Sequence, residues 1–277
     1  MTERRMLSYI EEKSPVHSLC GATKLLVFLL WSILVMVSFH TPVLVALTPL
    51  GLVFFGVSKV RFSDVAFIFR MMALFLALNL VAVYLFSPEQ GVKIYETRHV
   101  ILDGKGRFTL TAEQLFYEFN IFLKYITIIP PAILLIVTTH PSEFAASLNR
   151  LGVPYTASYS VSLTLRYIPD VQRDYEAISQ AQQARGLELS RKVSWVKRLK
   201  RTVPILLPLI FSSLDRIDVI SRAMELRGFG KKAKRSWYSA KPFRGQDKFV
   251  LVSSVLLFAF SIWLTFSGGS RFFNPFR

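Results

Sequence analysis

Hydrophobic residues fall in five blocks, and the gap between the fourth and the fifth is much longer than the others. The first block, Lys24–Phe39, is apolar almost throughout and stops at His40-Thr41-Pro42; a second, Val43–Val57, follows at once. Each is shorter than the roughly 20 residues that a helix needs to cross a bilayer. The pair predicts a tight helical hairpin, extended a little at both ends. Phe67–Phe86 predicts a third span and Phe119–Val137 a fourth, which contains Pro130-Pro131. Proline is tolerated in a membrane helix when neighbouring groups satisfy the carbonyls it frees. Phe249–Phe266 predicts a fifth span, ending at Gly268-Gly269. Residues 87–115 are polar. Within them, VKIYETRHVILDGKGRFTLT has the pattern of a β-hairpin turning at Asp103-Gly104-Lys105-Gly106.

The long gap has a helical period. Pro141–Leu151 predicts a short helix that stops at Gly152-Val153-Pro154. A second helix is expected from about Tyr155 to Arg185, with Tyr167, Val171, Tyr175, Ile178 and Gln182 on one face. A third is expected from about Val203 to Arg227, with Ile210, Leu214, Ile217, Ile220 and Met224 as its apolar stripe. Between them RKVSWVKRLKR, residues 191–201, reads as an amphipathic turn at the level of lipid headgroups. The expected organisation is therefore an N-terminal membrane part over 1–138, a cytoplasmic domain of three helices over 139–248, and a last span with its tail over 249–277. The fold class is an all-α integral membrane protein of about five spans, with long amphipathic helices inside the cell and a small hairpin-like loop outside.

Composition agrees with a membrane protein: 52% of the 277 residues are hydrophobic and the mean hydropathy is +0.40. The net charge is nonetheless +16, and residues 185–248 carry 17 Lys and Arg against 5 Asp and Glu. Beside apolar spans, such a block marks the cytoplasmic side. Lys59, Arg61 and Arg70 place the far end of the first pair of spans on that side too. Five crossings then put the N-terminus inside and the C-terminus outside. The N-terminal MTERRMLSYIEEKS has no apolar signal core, so no cleaved signal peptide is expected. The lone Cys20 excludes an internal disulfide.

The basic block contains an eight-residue pattern twice. Residues 179–186 read SQAQQARG and residues 221–228 read SRAMELRG, so both are Ser-x-Ala-x-x-x-Arg-Gly, with Arg185 and Arg227 42 positions apart. Glycine just past a helix end takes the left-handed conformation that closes the backbone, a role that suits Gly186 and Gly228. Arginine in the last turn gains ~0.3–1 kcal/mol from the helix dipole. One such site is an ordinary helix stop. Two that match at four positions point to paired cationic plugs, and so to a partner with two sockets. The guanidinium fork suits bidentate pairing with carboxylates and stays charged at cellular pH.

These paired tips, with several spans before them and one after, resemble the T component of energy-coupling factor transporters of vitamins and metals. The resemblance covers nearly the whole chain. It includes Ser14-Pro15-Val16-His17-Ser18-Leu19 followed by Thr23-Lys24, then Ala184-Arg185-Gly186, and Glu225-Leu226-Arg227-Gly228-Phe229. It implies a membrane scaffold whose long coupling helices dock onto two ABC-type ATPases, with a small membrane-embedded S component that binds substrate. By position, Arg185 and Arg227 correspond to the two motif arginines that meet the ATPases. Leu226 stands where the family usually has alanine, and Cys20-Gly21-Ala22 replace its usual Asp-Pro-Arg.

Other features carry less. Glu143-Phe144-Ala145-Ala146 has the look of a permease coupling loop, which makes Glu143, Ala145 and Ala146 candidates for ATPase docking. Gly51 and Gly56 could permit close helix contact in the second span. His17, His40, His99 and His140 have no ligand spacing, so no metal site is expected. No G-x-x-x-x-G-K-[ST] occurs, so this chain is not expected to bind ATP, and no cofactor is implied. The bilayer and the protein subunits are the expected partners. Nucleic acid is not, because Trp195, Trp237 and Tyr238 are too few for a stacking platform. The rival reading is a self-contained carrier or membrane-bound enzyme whose basic segment binds lipid. The expected location is the prokaryotic plasma membrane.

Overall fold

A computed structural model describes residues 14–102, 108–187, 195–231, 236–267 and 270–276, with the backbone alone over 195–201. The chain forms two compact units, Met1–His140 with Lys241–Arg277, and Pro141–Ala240. The sequence reading set these boundaries at 138/139 and 248/249.

The first unit is built on helices α1 (Pro15–Ser18), α2 (Gly21–Val37), α3 (Thr41–Val57), α4 (Phe62–Phe86), α5 (Gln90–Tyr95) and α6 (Ala112–Thr138). Strands β1 (Val100–Leu102) and β2 (Leu110–Thr111) pair antiparallel before α6. The turn expected at residues 103–106 lies outside the described residues. Three helices are long and apolar enough to cross a bilayer: α4, α6 and the C-terminal Gly245–Ser267. α2 and α3 have 17 residues each, about 25 Å at the α-helical rise.

α6 is the central post. In its most apolar window 44% of residues are buried, against 11% in each of the other two long spans, which are left to face lipid. Trp31, Leu34, Val35, Val43, Leu44, Leu47 and Leu123 form one core cluster. Val60, Val65, Ile129, Ile133 and Val137 form a second. The expected tight hairpin of α2 and α3 is corrected: each packs more closely against α6 than against the other. The reason is visible at Pro131, which cannot donate to the carbonyl of Thr127 four residues earlier. Trp31 Nε1 of α2 donates to that carbonyl instead, at 3.0 Å. Thr127 Oγ1 also bonds Thr48 Oγ1 of α3 at 2.6 Å. The carbonyl that Pro131 leaves without its helix donor, and the neighbouring Thr127 hydroxyl, thus tie α2 and α3 to α6. Gly51 sits beside this knot, where an added Cβ would lie 3.5 Å from the Trp31 ring and 3.7 Å from Thr127 O; Gly56 has nothing within 4 Å. Of the two glycines expected to permit close packing, only Gly51 does so.

Polar groups lock the helix ends. Lys24, 7% exposed, donates to Thr138 O at the end of α6 over 2.7 Å. A cation there complements the helix dipole. Asp247, 1% exposed, accepts from Arg244 N and from Cys20 N, each at 2.8 Å. One buried carboxylate therefore serves the starts of two helices at opposite ends of the sequence, α2 and Gly245–Ser267. Cys20 makes no side-chain cap of its own, so Asp247 fills that place. Lys241 Nζ donates to His17 O at 3.0 Å. The starts of α2 and of Gly245–Ser267 and the end of α6 thus share one end of the unit, where the chain leaves it after His140 and re-enters it at Lys241.

The opposite end holds the described parts of the loop 87–115, which carry more regular structure than their composition implies. α5 interrupts it, and α6 begins inside it at Ala112. Thr111 Oγ1 caps α6 by accepting from Gln114 N at 3.3 Å. Glu113 accepts from His99 N and bonds His99 Nδ1 at 2.7 Å. The C-terminal tail folds back here: Phe39 N donates to Arg271 O and Phe273 N to Phe39 O, at 3.1 and 3.4 Å. Asn274 Nδ2 donates to Tyr95 O at 3.3 Å.

Candidate coupling site at two helix tips

The second unit holds α7 (Pro141–Arg150), α8 (Tyr155–Ala184) and α9 (Trp195–Leu226); α10 (Gly245–Ser267) follows it in the first. α8 keeps the predicted bounds to one residue. α9 starts eight residues earlier than expected, so 195–201 is helix and no turn; 191–194 lie outside the described residues. Valine apart, Val196–Arg201 are good helix formers, and they carry the helix past Pro204 and Pro208.

α8 and α9 run antiparallel. Phe229, just beyond α9, packs on Tyr155 and Tyr159 at the start of α8, with centroids 5.7 and 4.8 Å apart. Trp237 joins this group, 5.3 Å from Tyr155, and its Nε1 donates to Asn149 Oδ1 at 3.1 Å. Further along, Arg216 Nη2 of α9 donates to Asp174 Oδ2 of α8 at 2.5 Å. Since both tips are C-terminal ends, the antiparallel order puts them at opposite ends of the pair, on the order of 30–40 Å apart by helical rise.

The two tips have the same backbone. Gly186 and Gly228 have φ of +92° and +64°. Gly186 N donates to Gln183 O at 2.9 Å and Leu187 N to Gln182 O at 3.0 Å. Gly228 N donates to Glu225 O and Phe229 N to Met224 O, both at 2.9 Å. This is the Schellman closure at each tip, bond for bond. α7 ends the same way, with Gly152 at φ +100° after Leu151. The closure alone is therefore common; what sets the two tips apart is an arginine in place of that leucine. Ala184, Arg185 and Gly186 are exposed, as are Glu225, Leu226 and Arg227, while Gly228 is half-buried. Among the described residues, no hydrogen bond or ion pair occupies the Arg185 guanidinium. Leu226 is 89% exposed; full burial of such a side chain is worth about 2 kcal/mol. The second tip thus offers an apolar contact beside its charge.

Glu143, Ala145 and Ala146 of α7 are 4%, 0% and 2% exposed. They pack inward within this chain, and the small pair suits close helix packing. The aromatic group around Phe229 and the Asp174–Arg216 pair were not picked out from sequence. The second was legible, because these residues are also 42 apart.

Among known families, the chain matches the one described as CbiQ, cobalt transport protein, over residues 12–237. It is 29% identical over 260 residues to the energy-coupling factor transporter transmembrane protein EcfT of Streptococcus thermophilus, covering 90% of this chain and 94% of that one. It is 28% identical over 269 residues to the EcfT of Bacillus subtilis, covering 92% and 96%. For the EcfT of Bacillus selenitireducens the identity is 29% over 272 residues, covering 94% and 97%. The apolar bundle, the paired tips and these matches agree along almost the entire chain, which belongs to the CbiQ family of transmembrane T components of energy-coupling factor transporters.

Proposed function

We propose that this non-catalytic subunit is the scaffold through which two partner ATPases drive uptake of a micronutrient held by a small substrate-binding membrane protein, the S component. Arg185 and Arg227 are its contact points with the ATPases. The supporting observation is the duplicated tip, two exposed arginines on identical helix closures. Two equivalent plugs at opposite ends of one helix pair fit a partner that is itself twofold. Each guanidinium would enter an acidic groove, where a buried, hydrogen-bonded charge pair resists loss of either member by ~2–5 kcal/mol. ATP-driven closure of the ATPases would shift the tips, and the stiff α8–α9 pair would carry that shift to the membrane helices.

In this reading the end of the first unit that carries Lys59 and Arg61, and where the chain leaves at His140 and returns at Lys241, faces the cytoplasm, with the N-terminus. The hairpin and C-terminal tail face outside. The test is purification of the tagged full chain from its native membrane in mild detergent. Recovery of proteins carrying ATP-binding P-loop motifs, together with a small apolar membrane protein, is expected. A chain that purifies alone with lipid contradicts the reading and favours a self-contained carrier.

A further inference from the structure

The 42-residue offset extends beyond the tips. Shifted by that amount, Leu165, Ile168 and Ile178 of α8 fall on Leu207, Ile210 and Ile220 of α9, and Glu176 falls on Asp218. Asp174 falls on Arg216, the residue it binds. The ion pair therefore joins two equivalent positions, each eleven residues before its tip. In an antiparallel pair, equivalent positions meet only at the centre, where a local twofold axis would pass. Each arm from that centre to its arginine is about 16 Å long.

The geometry points to Asp174 and Arg216 as the positioning pair that fixes the register of α8 on α9, and with it the spacing of the two tips. That this spacing matters for coupling rests on the function proposed above; the register itself is a property of this chain alone. Apolar stripes do not fix register, because burial is non-directional. Half-buried apolar residues flank the pair on both helices, Val171 and Ile178 on α8 and Leu209 and Ile220 on α9. A slip by one turn, about 5 Å, would leave apolar residues facing apolar residues. It would break the ion pair. A single polar pair in an apolar helix seam is a recognised register device. Its surroundings narrow the choice further. Tyr167, Asp170, Arg173, Asp174 and Arg216 line a cleft of about 280 Å³. Asp170, one turn before Asp174, is held by Arg173 at 3.6 Å, so it does not compete for Arg216. The two members of the pair are 33% and 30% exposed, and ion pairs so exposed add little to stability. Its loss should therefore disturb register more than melting.

Spin labels at Ala181→Cys and Ala223→Cys test this in the full chain, in lipid nanodiscs with Cys20→Ser. Both alanines are exposed and sit seven residues past the pair, at equivalent positions of the repeat. The parent is expected to show one narrow inter-label distance. Asp174→Arg and Arg216→Asp should each lose that single peak with little change in melting temperature. The exchanged double variant Asp174→Arg/Arg216→Asp should regain it. Asp174→Asn gives the same loss of the peak without introducing repulsion, should a reversed charge prevent folding. Single variants that keep the narrow peak, or an exchanged pair no better than its parts, overturn the assignment. No ATPase is needed for this readout, so it can fail while the coupling role stands, and the reverse.

Discussion

Replacing both tip arginines by glutamate, R185E with R227E, abolishes recovery of the ATPase partners and leaves the chain folded. Each reversal removes a fork of donors and presents a carboxylate to the acidic groove proposed above. At ~2–5 kcal/mol per buried charge pair, one reversal weakens binding by roughly 30-fold or more, and two leave nothing to detect. The cost to the fold is small. Arg185 is exposed, and a glutamate at a helix C-terminus opposes the dipole by only ~0.3–1 kcal/mol. R185K with R227K retains charge and dipole but loses the bidentate fork, so an intermediate recovery is expected. Co-purification, with circular dichroism as the folding control, checks both. Normal ATPase recovery by the double glutamate variant would refute the proposed contact.

The largest effect on stability is expected far from the tips, at Gly91. A Cβ there would lie 2.3 Å from Glu113 O, 2.4 Å from Glu113 C and 2.5 Å from Gln114 N. All three atoms are backbone of α6, so no side chain can swing aside. α5 would have to lift from α6. That movement breaks the bond from Gly91 N to Gln114 Oε1, now 2.9 Å, and strains the Tyr95 carbonyl that receives Asn274. Gly91→Ala should therefore cost about 3 kcal/mol or more, from overpacking together with a lost buried hydrogen bond. Gly56→Ala is the matched control. It sits in α3 with open space around it, and alanine in a helix is favoured over glycine by ~0.5–1 kcal/mol. Melting in detergent should fall sharply for the first variant and hold or rise for the second. Equal melting temperatures would mean that α5 does not rest on α6 as described.

Local features of this chain could be read from sequence where one segment decides them. Gly186 and Gly228 close their helices because glycine reaches positive φ cheaply, which requires knowledge of no other residue. The bounds of α8 are set by Pro154 before it and Gly186 after it. The β1–β2 pairing follows from alternation on either side of the glycine-containing segment 103–107. Features that depend on distant partners were hidden. α5 has six residues, too few for a helical period to show, and it is held by Gln114 of α6. Nothing near Cys20 announces that Asp247 will cap α2. Pro131 reads as a defect in the helix until Trp31 and Thr48 are brought to Thr127. At Glu143, Ala145 and Ala146 the sequence alone does not reveal burial, because a docking motif and a packing face share the same small residues. At the tips, the arginines were legible from repetition, yet their placement at opposite ends required knowing that α8 and α9 run antiparallel.

The central claim is that both arginine tips seat in ATP-hydrolysing subunits. A photo-cross-linking residue at Ala184, and in a second variant at Leu226, tests it in native membranes. Both positions are exposed and each adjoins its arginine. Covalent adducts to an ATPase bearing P-loop motifs are expected from each position. Adducts to lipid alone, or to an ATPase from one tip and never from the other, would contradict a twofold coupling site.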